Sequence, residues 1–286
     1  MRIANRWKDF ELIDTSSGEK LERWGDVTLI RPDPQVIWDT PKDQRWNKAD
    51  AHYLRSSSGG GSWELRSLKK EEWVVGYDDL RFYIRPTGFK HTGLFPEQAV
   101  NWDLMSDLIK EAKKPVKVLN LFAYTGGATL ACAKAGASVC HVDASKGMVS
   151  WARDNAKLSG LEDASIRWIV DDCKKFIERE IRRGSRYHGI VMDPPSYGRG
   201  PGGEIWKLEE SVFELCELTA QLLDEDALFL LLNSYTTGLS ASVMEYLLSV
   251  TVGRRGGKVS SSEIGLPVSS NGLVLPCGTT AVWTGR

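Results

Sequence analysis

Through the first ninety positions apolar and polar residues alternate in short runs. Residues 10–13 (Phe-Glu-Leu-Ile) and 27–31 (Val-Thr-Leu-Ile-Arg) flank a turn cluster, Thr15-Ser-Ser-Gly-Glu19. Residues 63–66, 73–77 and 80–85 repeat the alternation. A period of two predicts β-strands with one buried face. Residues 56–62, Ser-Ser-Ser-Gly-Gly-Gly-Ser, predict a loop. Seven of the eleven tryptophans fall before residue 115 and supply a small core. Residues 1–90 therefore read as a small β-rich domain.

From about residue 96 the period changes. Val100, Leu104, Leu108 and Ala112 recur at helical spacing, predicting a connecting helix within 91–115 that ends at Lys-Lys-Pro115. Residues 116–286 then alternate strand and helix. Strands are expected at 116–122, 138–143, 165–170, 188–193 and 227–233, and helices at 126–135, 145–158, 172–183, 204–223 and 240–251. Two strands close the chain, 258–264 and 273–283, with no helix between them. This order predicts an α/β domain with a doubly wound, mostly parallel seven-stranded sheet and one reversed strand. Ligands bind such sheets at the carboxyl ends of the strands, near the topological switch.

Charge and composition narrow the chemistry. The net charge is −1, from 37 basic and 38 acidic residues, so no global cationic field marks a polyanion binder. The five cysteines have no CxxC pair and do not cluster with the four histidines, which argues against a zinc site or a disulfide framework. No apolar run reaches the ~18–20 residues of a membrane span, and Met1-Arg-Ile-Ala-Asn-Arg6 lacks a signal-like apolar stretch; a cytoplasmic protein is expected.

The strand ends carry the candidate chemistry. The first runs into Asn120-Leu-Phe-Ala-Tyr-Thr-Gly-Gly127, where glycines allow a sharp turn close to a ligand. It is neither GxGxxG nor a P-loop. The second ends in Asp143, placed to accept ribose hydroxyls, with Ser145 as the better helix cap. The third ends in Asp171-Asp172, either of which suits an adenine amine; Asp172 also suits a helix cap. The fourth ends in Asp193-Pro-Pro-Ser-Tyr197. Acidic groups without basic neighbours fit an adenosine bearing a positive sulfonium better than one bearing phosphates. In the Asp-Pro-Pro element, prolines remove donors and hold the neighbouring carbonyls as acceptors, so that with Asp193 they can bind an exocyclic amine. Gly198-Arg-Gly-Pro-Gly-Gly203 reads as a flap over the acceptor.

The ordered set of motifs over residues 90–286 resembles a class I S-adenosylmethionine-dependent methyltransferase, whose sheet is Rossmann-like. Val118-Leu-Asn-Leu-Phe-Ala-Tyr-Thr-Gly-Gly127, Val142-Asp-Ala-Ser145, Trp151-Ala-Arg-Asp-Asn155 and Asp193-Pro-Pro-Ser196 look like the large-subunit ribosomal-RNA methyltransferases of cytosine-C5 and guanine type. Lys90-His-Thr-Gly-Leu-Phe-Pro-Glu-Gln98 looks like the segment that precedes their catalytic domain and lies near the cofactor. The resemblance implies S-adenosylmethionine as cofactor and RNA as partner. It implies a cofactor site of Phe95, Gln98, Phe122, Tyr124, Thr125, Gly126, Gly127, Asp143, Ala144, Ser145, Asp172, Cys173 and Asp193. Asp193, Pro194, Pro195 and Tyr197 stand as the catalytic set, without a metal.

One departure matters. The cytosine-C5 members carry a catalytic cysteine in a Ser-Cys-Ser-Gly turn after strand five; here the segment is Asn233-Ser-Tyr-Thr-Thr-Gly238. Ring addition needs a thiolate, so nitrogen or oxygen methylation is favoured. A small-molecule or protein methyltransferase, or a non-catalytic cofactor-binding protein, remain as alternatives. Arg45-Trp46-Asn47-Lys48 is a candidate for stacking on RNA.

Overall fold

The computed structural model describes residues 1–56, 60–199 and 205–285. Two compact units share the chain: Ile3–Ala99 with Gly265–Cys277, and Met1–Arg2 with Val100–Ile264 and Gly278–Arg286. The units thus divide elsewhere than at residues 90 and 115. The helix expected as a connector starts the larger unit, and a C-terminal segment belongs to the smaller one.

After the short β1 (Arg2–Ile3), the smaller unit holds β2 (Phe10–Ser16), β3 (Glu19–Trp24), β4 (Val27–Pro32), β5 (Ala51–Arg55) and β6 (Gly61–Leu65) as one sheet in that order. β7 (Trp73–Tyr77) and β8 (Leu80–Ile84) form an antiparallel pair. Ser17 and Gly18, both at positive φ (53° and 77°), make the two-residue turn between β2 and β3. The alternation pattern passes over β3 because four of its six residues are charged. Its Glu22 is nevertheless buried, held in two bonds from Arg31 at 2.6 and 2.9 Å, with the guanidinium 5.3 Å from the Trp24 ring. Trp46 is also core rather than an RNA platform: it is 4% exposed, its indole N–H donates to Asp14 at 2.8 Å, and the Lys42 ammonium lies 4.2 Å from its ring centroid. Gly265–Cys277 returns to β2, where Ser269 and Ser270 N–H groups donate to the carbonyls of Leu12 and Ile13 at 3.0 and 2.9 Å.

In the larger unit α1 (Ala99–Glu111) leads to β9 (Lys117–Leu121), α2 (Gly127–Lys134), β10 (Ser138–Asp143), α3 (Lys146–Leu158), β11 (Ile166–Val170) and α4 (Cys173–Arg182). Then follow β12 (Gly189–Met192), the short β13 (Tyr197–Arg199) and β14 (Ile205–Lys207), α5 (Leu208–Ala220), β15 (Phe229–Ser234), α6 (Ala241–Val250), β16 (Lys258–Pro267) and β17 (Val274–Thr284). The sheet order is β1-β16-β17-β15-β12-β9-β10-β11. Strands β11, β10, β9, β12 and β15 are parallel, and β17 runs against β15. The expected doubly wound sheet with a reversed strand is present, with β1 as an eighth strand. Helices cover both faces, which is why β15 reads as the continuous apolar run Phe229-Leu-Leu-Leu232, buried throughout. The chain winds outward from β9 through β10 to β11, then restarts at β12 on β9's other side. That reversal opens a crevice at the carboxyl ends of β9 and β12.

Two expectations shift. In α1 the fully buried stripe is Trp102, Met105 and Ile109, while Val100, Leu104 and Leu108 are half-buried. Trp102 sets this register by packing where a Cβ on Gly127 would come within 2.5 Å of its ring. The helix expected at 204–223 starts at Leu208, because Tyr197–Arg199 and Ile205–Lys207 pair as an antiparallel ladder. Residues 200–203 of the expected flap, and residue 204, lie outside the described residues. Among the described residues no helix is long and apolar enough to cross a membrane.

Candidate active site

The turn after β9 is conformationally unusual. Phe122, Tyr124 and Gly126 have φ of 56°, 51° and 90°. For a non-glycine side chain this left-handed region costs roughly 1–2 kcal/mol and persists only where the surroundings hold it. They do here. The Ala123 N–H donates to Val142 O at 3.1 Å, and Tyr124 N–H donates to Asp143 Oδ2 at 2.9 Å. The Phe122 N–H points at Cys173 Sγ, 3.3 Å away. On the other side Asn155, fully buried in α3, donates to the Thr125 carbonyl at 2.9 Å. Gly126 lies against α3, where a Cβ would come 3.0 Å from that of Ala152.

Asp143 is half-buried at the end of β10. Its Oδ1 accepts the Ser145 N–H at 2.8 Å while Oδ2 holds Tyr124. Burial pushes this carboxyl up, against two backbone donors that favour the charged form. Two N–H groups use half the acceptor capacity of a carboxylate, leaving lone pairs for a diol. Ser145 is the N-cap of α3, as its sequence position implies, and Ala144 beside it is exposed.

The pair at the end of β11 is now distinguishable. Asp171 is ion-paired with Arg179. Asp172 caps α4 through Oδ1, which accepts Lys175 N–H at 2.9 Å, and it is exposed. Capping therefore engages one of its oxygens. Cys173 is buried; burial pushes its thiol well above the usual cysteine range, so it serves as packing beneath Phe122.

Asp193 follows β12. Its Oδ1 accepts from the Asn233 amide at 2.9 Å. Of the two proline carbonyls expected to be open acceptors, that of Pro195 is not: it accepts the Trp206 indole N–H at 2.7 Å. Among the described residues none donates to the Pro194 carbonyl, and Pro194 itself is buried. Trp206 also lies 5.9 Å from the Phe122 ring, linking the two loops. Thr236, in the turn after β15, donates to Ser196 Oγ at 2.7 Å. Tyr197 is 52% exposed on β13, opposite Lys207.

Phe122–Gly127, Asp143–Ser145, Asp172, Cys173 and Asp193 thus converge on the carboxyl edge of one sheet. Phe95 and Gln98 belong to the other unit, where Gln98 N–H closes a turn on the Phe95 carbonyl at 3.1 Å. Asn155, Asn233 and Trp206 brace this edge, a role that the motifs did not assign to them; each bonds a residue at least eleven positions away. One group among the described residues has metal-like spacing, His188 with Asp224 and Asp226. There His188 Nδ1 accepts the Lys117 N–H at 2.9 Å, so neutral imidazole carries its proton on Nε2, the atom a metal would need.

Comparisons with known proteins agree with this geometry. A family model for S-adenosylmethionine-dependent methyltransferases matches residues 49–218. A solved S-adenosylmethionine-dependent methyltransferase from Agrobacterium tumefaciens superposes with a TM-score of 0.93 at 39% identity, covering 100% of this chain and 93% of that one. The ribosomal RNA large subunit methyltransferase K/L of Shewanella frigidimarina is 30% identical over 178 residues, 62% of this chain and 24% of that protein. Its counterpart from Chromohalobacter salexigens is 30% identical over 228 residues, 78% of this chain and 28% of that protein. The chain therefore spans about a quarter of the length of these curated relatives. With family model, full-length structural likeness and strand-end site in agreement, the chain belongs to the S-adenosylmethionine-dependent methyltransferase family.

Proposed function

We propose that the chain methylates a nitrogen of RNA, ribosomal RNA in particular, which would place its work in the cytoplasm. The observation that carries this reading is the Asp193 carboxylate, fixed by Asn233 at the sheet's topological switch with no thiol in the following turn. The names of the ribosomal relatives supply the substrate class. Balanced net charge argues only against non-specific polyanion binding.

The residues present fit the cofactor. Asp143 offers paired acceptors for ribose hydroxyls, with Ala144 and Ser145 beside it. Asp172 rather than ion-paired Asp171 would accept the adenine amine. Phe122, Tyr124, Thr125, Gly126 and Gly127 would form the wall, with Cys173 packing beneath it. Bound there, S-adenosylmethionine supplies an electrophilic methyl group.

The chain's own contribution is orientation. Asp193 Oδ2 and the Pro194 carbonyl would accept the protons of an exocyclic amine, leaving its lone pair directed away from them. Trp206 keeps the Pro195 carbonyl out of that role. Tyr197 would flank the acceptor base. Mass spectrometry of nucleosides from ribosomal RNA of cells with and without the gene tests the proposal. One N-methylated nucleoside should disappear. An unchanged nucleoside profile would direct the search to small-molecule or protein acceptors.

A further inference from the structure

Four hydrogen bonds in the larger unit form an uninterrupted line that ends on Asp193. Arg2 Nη2 donates to Asn101 Oδ1 at 2.7 Å, and Asn101 Nδ2 donates to Thr280 Oγ1 at 3.0 Å. Thr280 Oγ1 donates to Asn233 Oδ1 at 2.7 Å, and Asn233 Nδ2 donates to Asp193 Oδ1 at 2.9 Å. Asn101, Thr280 and Asn233 are buried, at 1%, 1% and 0% exposure.

The three middle members are ambivalent. An asparagine amide can present either its oxygen or its nitrogen, and a threonine hydroxyl can donate or accept. The ends are not ambivalent: a guanidinium only donates and a carboxylate only accepts. Arg2 at one end and Asp193 at the other demand the same direction of every bond, so that Asn233 faces Asp193 with its NH₂ and turns its oxygen to Thr280. The reversed amide would set its oxygen against the Asp193 oxygen in a part-buried contact. We infer that Asn233 is the positioning residue for Asp193, and that Arg2, Asn101 and Thr280 fix which way its amide points.

This rests on the reading that Asp193 orients the acceptor. The line engages Asp193 through Oδ1, and that reading assigns Oδ2 to the substrate. Loss of polarity would let the carboxylate rotate, which lowers turnover without touching the cofactor.

The test uses the full chain, tritiated S-adenosylmethionine and ribosomal RNA from cells lacking the gene. Thr280→Val keeps size and removes the hydroxyl; it should lower kcat about tenfold or more and leave cofactor Kd within about twofold. Thr280→Ser should return kcat to within about threefold of wild type. Arg2→Met, outside the buried core, should lower kcat in the same way with the fold intact by circular dichroism. The Asn233 side-chain amide signal in ¹⁵N NMR should shift in Arg2→Met, whatever the acceptor. Asp193→Ala separates the two ideas: if it retains turnover, the role of Asp193 falls. If it abolishes turnover while Thr280→Val keeps wild-type kcat, or Thr280→Ser is as impaired as Thr280→Val, the line of bonds has no part in positioning. An Asn233 signal unmoved in Arg2→Met also overturns the inference.

Discussion

The Asp143 carboxylate holds the Tyr124 N–H at 2.9 Å while Tyr124 itself sits at a φ of 51°. One side chain therefore does two things. It presents acceptors at the strand end, and it keeps the neighbouring turn in a conformation the turn would otherwise leave.

Asp143→Ala should for that reason weaken S-adenosylmethionine binding by more than a single lost bond. Charged hydrogen bonds are worth about 1.5–3 kcal/mol, or roughly 10- to 150-fold in Kd, by calorimetry. Asp143→Asn should also be impaired, since one amide oxygen cannot serve two N–H donors placed on separate oxygens. Equal affinities for wild type and both variants would remove Asp143 from the site.

Asp193→Ala should behave differently. Cofactor affinity should stay within a few-fold while methyl transfer falls by about two orders of magnitude or more. Collapse of cofactor binding alongside activity would assign Asp193 to the cofactor instead.

No covalent intermediate with nucleic acid is expected. Burial holds the Cys132 and Cys140 thiols up at about 12 and about 11, and the Cys173 thiol higher still. Thiols so raised are protonated at neutral pH and poor nucleophiles. RNA substituted with 5-fluorocytosine traps enzymes that add to the ring. A denaturant-stable, shifted band with this protein would show a thiolate at work and return it to the cytosine-C5 chemistry.

His141 makes stability depend on pH. It is fully buried, receives or gives a bond to Thr129 Oγ1 through Nδ1 at 2.8 Å, and burial lowers its pKa to about 3. The unfolded chain, with an ordinary histidine near 6.5, takes up the proton first. Stability is therefore complete above about pH 6.5 and falls as pH drops toward 3, by about 1.4 kcal/mol per pH unit at full slope. In urea unfolding, moving from pH 7.5 to 5.5 should cost wild type about 1.4 kcal/mol more than His141→Gln. Identical losses would mean that His141 is protonated without penalty in the folded state.

The strand-end motifs were legible because both chemistry and topology write themselves locally. A carboxylate just after an apolar run, a glycine pair before a helix, and a cap such as Ser145 are each contained in a few residues. The supports were not legible, because their partners are distant. Asn155 acts on Thr125 thirty positions away, Asn233 on Asp193 forty away, and Asn101 on Thr280 179 away. No local pattern encodes such pairs. The β3 strand escaped for another reason: its buried Glu22 is tolerable because Lys20 and Arg31, the latter nine residues on, both pair with it. The carbonyl of Pro195 was misread because sequence shows that proline cannot donate, but not that Trp206 would.

The return of Gly265–Cys277 to the N-terminal unit sets the order in which the protein can be born. Ribosomes release a chain from its first residue, and domains tend to fold as they emerge. Here the first ninety-nine residues come out without the segment that pairs with Leu12 and Ile13 and binds the Asp14 carboxylate through Ser270 Oγ at 2.8 Å. The edge of β2 must stay unsealed until nearly all of the larger unit has been made. A nascent chain stalled after Ala99 should accordingly be cut by protease within 10–16, and a released full-length chain should not.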